Sequence, residues 1–475
     1  MRAVVIGGGI SGLAAAYYLQ REAKEHDLPL NITLIEGERR LGGKIRTERD
    51  DGFILEGGPD SFVSTKPWAV ELCTELGIEH RLMGSNSADK AVFVLQGGKL
   101  VSLPEGLSMM IPSKFWPIFR SPLLSRVGKL RLALDLILPA RRDREDETIG
   151  GLVTRRLGRE AFERLIEPLL SGIYAGDGYR LSVQATFPWL KDLELRYGGL
   201  TRGALALRRA TRPAQGSPAR GNTFLTFPTG LSELSEALAG RLSEAELMLG
   251  DSARALTRAG DGYAVATERG GLVQADVLIL ATPAYVTAKI VRACQPGLAE
   301  LLGEIEFATT ATVSLAYRQP DLPSRLNGHG YVIPRLEGRL ALACTWTSTK
   351  FPGRAPEGYA LLRVFLGRAG TKEQLPVDAE LLCEAAREEV ASTLHITSQP
   401  LLTRVHRWPR GMPQYNLGHP QRLTAIQHAL EKLPGVFLAG ASYRGVGIPD
   451  CIYSGKRAAE GAIAYFCQEQ VTSSQ

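Results

Sequence analysis

The sequence predicts an α/β fold built around a nucleotide-binding sheet, and three observations carry the prediction. Residues 3–6 (AVVI) are a continuous apolar run of the kind a buried parallel strand needs. Gly7-Gly8-Gly9-Ile10-Ser11-Gly12 follows at once and fits G-x-G-x-x-G, and Leu13 begins the helical stretch LAAAYYLQREAKE. A second strand, NITLIE at 31–36, ends in Glu36, 24 residues beyond Gly12.

Each element has its own reason. Gly7 permits a sharp turn, Gly9 lets a pyrophosphate approach the backbone, and Gly12 lets helix and strand pack closely. The helix start, from Ile10 and Ser11 to Leu13, then faces the anion. Glu36 stands near the spacing of a carboxylate that bonds an adenosine ribose. The alternative is an ordinary tight turn with Glu36 as a solvated strand end. A third strand is expected in ADVLILATP (275–283), and a fourth in VFLAGA, within 434–466.

Composition bounds the rest. A chain of 475 residues reads as two or three domains, and 44% hydrophobic with 22% charged residues fits a globular protein. Lys plus Arg number 56 against 50 for Asp plus Glu, a balance of +6 that is too mild to indicate nucleic acid. It leaves room for a local basic site. The six cysteines are scattered without C-x-x-C spacing, so reduced thiols and no metal are expected. RAVVIGGG reads as a strand meeting its turn and not as a leader. No uncharged apolar stretch of roughly 18 residues occurs. The expectation is a cytoplasmic protein, in solution or peripheral to the inner face of the cell membrane.

A second glycine pair separates flavin from nicotinamide. Gly42-Gly43 lie among Arg39, Arg40, Lys44 and Arg46, which suits a longer cofactor whose pyrophosphate and isoalloxazine both need close backbone approach. Near the other end a glycine turn leads into a helix from about Asp450, so the N–H groups of Val446, Gly447 and Ile448 are placed to stabilise negative charge on a reduced flavin. EGGPDSFVSTK (56–66) is a further tight turn, with Gly58, Pro59, Asp60 and Ser61 bending around the cofactor and Lys66 at its end.

G-x-G-x-x-G at 7–12, Glu36 and the run RLGGKIRT from Arg40 to Thr47 resemble the FAD-dependent amine oxidase and protoporphyrinogen oxidase superfamily. GGPDSF (57–62), LIEPLLSGIYAGD (165–177), ACTWTSTKFPGRAPEG (343–358), RWPRGMPQYNLGH (407–419) and GVGIPDC (445–451) look like the bacterial porphyrinogen oxidases of haem synthesis, most like the soluble coproporphyrinogen III oxidases. The resemblance runs from about residue 2 to 466. Lys44 departs from the arginine frequent in the superfamily; it keeps the charge and loses the planar fork.

The resemblance implies α/β plus α+β architecture: a Rossmann-like FAD-binding domain of the p-hydroxybenzoate-hydroxylase-like two-domain type, a substrate domain and a helical insertion. The expected divisions are 1–66, 222–290 and 434–466 for FAD, 67–104 and 291–433 for substrate, and 105–221 for the helices, with 467–475 as a tail. It implies non-covalent FAD, since Cys451 follows GIPD and begins a helix. It also implies oxidation of coproporphyrinogen III by O₂ with release of H₂O₂, and hand-over to a downstream ferrochelatase. Protoporphyrinogen IX is the alternative substrate. A flavin amine oxidase, or a non-catalytic FAD- or prenyl-binding escort, are more distant alternatives.

No side chain is assigned a catalytic role, because flavin N5 carries the chemistry. Ile173 is the candidate to touch the macrocycle, although 165–175 alone reads as the apolar face of a core helix. Lys66 is either a hand for a propionate or a solvated lysine. Trp408 is placed against the flavin by resemblance and is otherwise a core aromatic. Residues 105–160 alternate apolar spacing with Lys114, Arg120, Arg126, Lys129 and Arg131, suited to a membrane interface or to helices packed over the slot. RRDREDE (141–147) reads as a solvated loop and TRPAQGSPARGN (211–222) as a flexible connection.

Overall fold

The structure is a computed structural model that describes residues 1–475 except 89, 109–110, 113, 211–222, 325, 372–374 and 474–475. The expected connection at 211–222 therefore lies outside the described residues. Five strands form a parallel sheet in the spatial order Ala245–Leu249, Asn31–Glu36, Arg2–Ile6, Val277–Leu280, Val436–Leu438. Continuous apolar strands need cover on both faces, and here they have it. Ala3, Val5 and Ile279 pack under the helices Ile10–Glu25 and Ile448–Ser473. Val4, Ile6 and Leu278 face a three-stranded antiparallel sheet and the helix Ala284–Val291. The two ends of the chain are thus neighbours. A Cβ on Gly455 would stand 2.2 Å from the carbonyl of Ser11, so the first and last helices meet at backbone contact.

A second sheet of seven strands runs in the order Leu402–Pro413, Phe307–Arg318, Tyr359–Leu366, Ala341–Trp346, Gly330–Val332, Val92–Gln96, Lys99–Ser102. Its period-two alternation assigns the faces. Leu362, Val364 and Leu366 point to the helix Ala379–Leu394, where Leu382, Ala386 and Val390 complete a core. Leu361 points the other way, onto Phe53 and Leu55 of the hairpin 47–56, and Phe365 also lies on that side, against Ala343. The α/β plus α+β reading of the sequence holds.

The helical insertion has its own core, with Leu152, Val153, Phe162 and Leu165 at its centre. It also contains an ion network that the sequence reading missed. Arg156 Nε donates to Asp135 Oδ1 at 2.5 Å, and Arg155 donates to Glu194 at 2.6 Å and Glu147 at 2.8 Å. RRDREDE is therefore only partly a solvated loop: Glu147 also holds buried Lys191 at 3.0 Å, and Asp146 accepts from Ser182 at 2.5 Å. Arg141 pairs within the run, with Asp143 and Glu145, while Asp146 and Glu147 find partners distant in sequence. The final helix runs to Ser473, into the stretch read as a tail. Among the described residues no helix is long and apolar enough to cross a membrane.

Candidate functional site

Two glycine turns meet at the end of the parallel sheet. Gly7 adopts φ +106°, and its N–H donates to the Ile35 carbonyl at 2.8 Å. A Cβ on Gly12 would fall 1.8 Å from the Gly7 carbonyl oxygen, so only glycine lets the helix sit this close to the strand. Above Gly9 the nearest atom to such a Cβ is the Gly43 Cα at 4.0 Å, which leaves the backbone bare. Gly42 donates its N–H to the Gly8 carbonyl at 2.8 Å and joins the second turn to the first. Glu36 holds the first turn and its own strand end, accepting from the N–H of Gly8 at 2.6 Å and of Glu38 at 2.8 Å. The Leu13 N–H is spent on the Gly9 carbonyl. The donors left for an anion are those of Ile10, Ser11 and Gly12 in the first helical turn.

Behind this cradle lies the turn 56–61. A Cβ on Gly58 would stand 1.8 Å from the Lys44 carbonyl oxygen, so the turn rests directly on the Gly42-Gly43-Lys44 segment. Its carbonyls are held firmly. Gly57 accepts from Trp408 Nε1 at 2.8 Å and Thr312 Oγ1 at 2.9 Å, while Gly58 accepts from the Arg363 guanidinium. After Pro59, the Asp60 carboxylate takes Ser61 Oγ at 2.6 Å and Lys350 Nζ at 2.9 Å. Burial alone would raise the Asp60 pKa, but Lys350 and Arg363 outweigh it and hold the acid below the usual carboxylate range. Glu56 accepts from the Leu231 N–H at 2.7 Å and Thr47 Oγ1 at 2.8 Å, and there burial prevails and pushes the pKa up. The Lys44 side chain has free surface, yet surrounding protein pushes its ammonium down from the ordinary lysine value.

The C-terminal turn closes the other side. Val446 and Gly447 lead into the helix that starts at Ile448, and Gly445 adopts φ +94° where a Cβ would lie 2.3 Å from Asp450 Cγ. Lys66 Nζ contacts both Asp450 oxygens, at 2.6 and 2.7 Å. The lysine read as either a propionate hand or a solvated charge has a carboxylate partner in place. Burial pushes the Cys451 thiol up to about 11, so a thiolate able to bond a flavin carbon is disfavoured.

A small apolar cluster lies between the seven-stranded sheet and the helix Glu167–Tyr174. Ala175, Leu342 and Ala343 are buried together, with Val332 and Phe365 packed against them. Ile173 is 42% exposed, whereas Leu170 and Tyr174 of the same helix are buried. The loop after it is pinned: Gln414 Nε2 donates to the Tyr174 carbonyl at 2.9 Å and Arg335 Nη2 to the Gly176 carbonyl at 3.0 Å. The sequence reading missed Lys350, Arg354, Arg363 and Asp450. A signal existed, because Arg363 interrupts the otherwise apolar strand YALLRVFL. Among the described residues no group of three or more His, Cys, Asp or Glu could hold a metal ion.

Residues 10–463 match the family described as flavin containing amine oxidoreductase. The chain belongs to this family. It is an oxidoreductase whose cofactor is FAD, and the bare glycine cradle, the first-turn donors and exposed Lys44 fit that group. Coproporphyrinogen III oxidase of Bacillus subtilis is 38% identical over 97% of this chain and 98% of its own. Protoporphyrinogen oxidase of Bos taurus is 33% identical over 96% and 97%. The crystal structure of an Exiguobacterium protein described as a protoporphyrinogen oxidase superposes with a TM-score of 0.86 at 34% identity, covering 97% of this chain and 98% of that one.

Proposed function

We propose that the chain oxidises coproporphyrinogen III to coproporphyrin III with three O₂, releasing three H₂O₂, in porphyrin synthesis. The observation that carries the reading is the full-length similarity to the Bacillus subtilis enzyme, which the geometry supports with a glycine cradle next to exposed Lys44 and with exposed Ile173 on the helix Glu167–Tyr174. When bound, FAD accepts two electrons from the substrate in each of three rounds and returns them to oxygen.

The side chains bind and orient. Ile10, Ser11 and Gly12 offer N–H groups to the pyrophosphate, and Glu36 at the end of its strand takes the adenosine ribose. Gly42, Gly43, Lys44 and the turn Gly58–Ser61 wrap the cofactor, with Val446, Gly447 and Ile448 facing it from the last helix. Trp408 stands against the flavin and Ile173 borders the macrocycle. Lys66 receives a propionate in exchange for Asp450, which keeps the cation desolvation-neutral until substrate arrives. Coproporphyrinogen carries four carboxylates against two for protoporphyrinogen, so a cation at this edge favours the former. A downstream ferrochelatase would take the product.

The test compares kcat/KM for the two porphyrinogens under air. A larger value for coproporphyrinogen III is expected; an equal or smaller one assigns the chain to protoporphyrinogen IX. A purified protein that takes up no FAD would end the reading altogether.

Peripheral membrane contact is part of the same proposal. Trp116 and Leu130 are each 67% exposed, close to Arg120, Arg126 and Lys129 on the insertion's surface. Arg131 does not join them, because it donates to the carbonyls of Arg155 and Arg156 at 2.7 and 3.0 Å. Co-sedimentation with anionic vesicles that is lost in Trp116→Ser/Leu130→Ser would support contact. Equal sedimentation of both proteins would refute it.

A further inference from the structure

Five charges crowd behind the turn 56–61, and they do not cancel. Lys350 pairs with Asp60 at 2.9 Å and Arg354 with Glu56 at 3.5 Å. Arg363 is the fifth, 2% exposed, and among the described residues no carboxylate lies within salt-bridge distance of it. Its Nη2 donates to the Gly58 carbonyl, its guanidinium lies over the Phe365 ring at 4.6 Å, and its Nε and Nη1 have no hydrogen-bond partner. His406 faces Gly57 from the neighbouring strand and is bonded to Glu48 of the hairpin at 2.9 Å. A buried guanidinium with two idle donors is costly. Packing could be served there by an apolar residue, as at Leu361 and Phe365 on the same strand face, so the charge itself needs an account.

We propose that Arg363 is a positioning residue whose buried, uncompensated charge raises the electron affinity of the flavin bound against Gly57 and Gly58. The inference rests on the flavin placement proposed above. Reduction adds negative charge to a flavin, and a fixed cation in a poorly solvated site stabilises that charge over several ångströms at no cost in reorganisation. The guanidinium acts through the Gly58 peptide, which it both orients and polarises.

The test measures the reduction equilibrium of the FAD-loaded protein against a reference dye, together with the flavin-to-protein ratio and the melting temperature of each sample. In Arg363→Gln, which keeps a donor for the Gly58 carbonyl, the equilibrium is expected to become at least tenfold less favourable, about 30 mV for a two-electron couple. Arg363→Lys should remain within about threefold of the wild type, a margin below 1 kcal/mol in an equilibrium. Asp60→Asn, which removes an opposing charge, should move it the other way. Opposite shifts of the two neutralising variants separate electrostatics from damage to the fold. An unchanged potential in a flavin-replete Arg363→Gln overturns the inference and leaves the flavoenzyme reading intact. If that variant does not fold, an unchanged potential in Asp60→Asn overturns it instead. A wild-type chain that binds no flavin overturns both.

Discussion

Asp60 keeps its charge against its own burial, and that makes it a reporter of the turn. Its pKa is lower in the folded chain than the ordinary carboxylate value of about 3.9. The stability it contributes is therefore fully present above that value and is lost as the pH falls below it, toward the depressed folded pKa. Between pH 5 and 2.5 the urea midpoint of the wild type should fall more steeply than that of Asp60→Asn; parallel curves would show that the Lys350 and Arg363 charges do not couple to it. Lys66 asks a different question, since the structure gives it Asp450 and the proposal gives it a propionate. With 44% of its side chain exposed, the pair should couple by less than about 1 kcal/mol in a stability cycle of Lys66→Ala and Asp450→Ala. A charge-assisted bond to substrate is worth roughly 1.5–3 kcal/mol. Lys66→Ala should accordingly raise KM for coproporphyrinogen III at least tenfold with little change for a less acidic porphyrinogen. Unchanged kinetics would make Lys66 a brace for the last helix.

At the scale of elements, what the sequence revealed was what is local in it. The strands at 2–6 and 31–36 and the helix between them follow from a continuous apolar run and a glycine fingerprint that lie within 40 residues of one another. The seven-stranded sheet pairs residues as distant as Val92 and Gly330, and no periodicity announces such a partner. The same distance hides the ion network of the insertion, where Asp135, Arg156 and Glu194 come from three separate helical segments. Asp135 and Arg156 are almost wholly buried, so removing one leaves the other unpaired in the core. Asp135→Ala should destabilise the protein by about 3–5 kcal/mol, while an exposed neighbour such as Arg142→Ala should change it by less than about 0.5 kcal/mol. Equal denaturation midpoints for the two variants would dismiss the network as a stabilising element. Gly12 is the opposite case, an element junction legible from one residue type. Its missing Cβ is what permits contact with the Gly7 carbonyl. Gly12→Ala should lose FAD on gel filtration while keeping its helical circular dichroism.

Seen whole, the molecule packs its first and last helices together, and the proposed reading builds one cofactor site from both. The first helix and the last meet at backbone contact, Gly455 against Ser11, and the proposal has the turns at 7–12 and 445–448 face the same cofactor. A ligand that touches both must stabilise the parallel sheet as a unit, because unfolding either end abolishes the site. With FAD at a thousand times its Kd the stabilisation is about 4 kcal/mol. At roughly 2.1 cal/mol/K per residue, the 475 residues give about 1 kcal/mol per degree, so Tm should rise by about 4 °C between flavin-stripped and flavin-replete protein. The shift should grow with the logarithm of FAD concentration and vanish in Gly12→Ala. A flavin bound only by the N-terminal turn would leave the C-terminal helix indifferent to it, and hydrogen exchange distinguishes the two cases. Protection gained on FAD addition over residues 448–458 as well as 7–16 is the expected outcome. Gain confined to 7–16 would mean that the last helix is a neighbour of the site and not a wall of it.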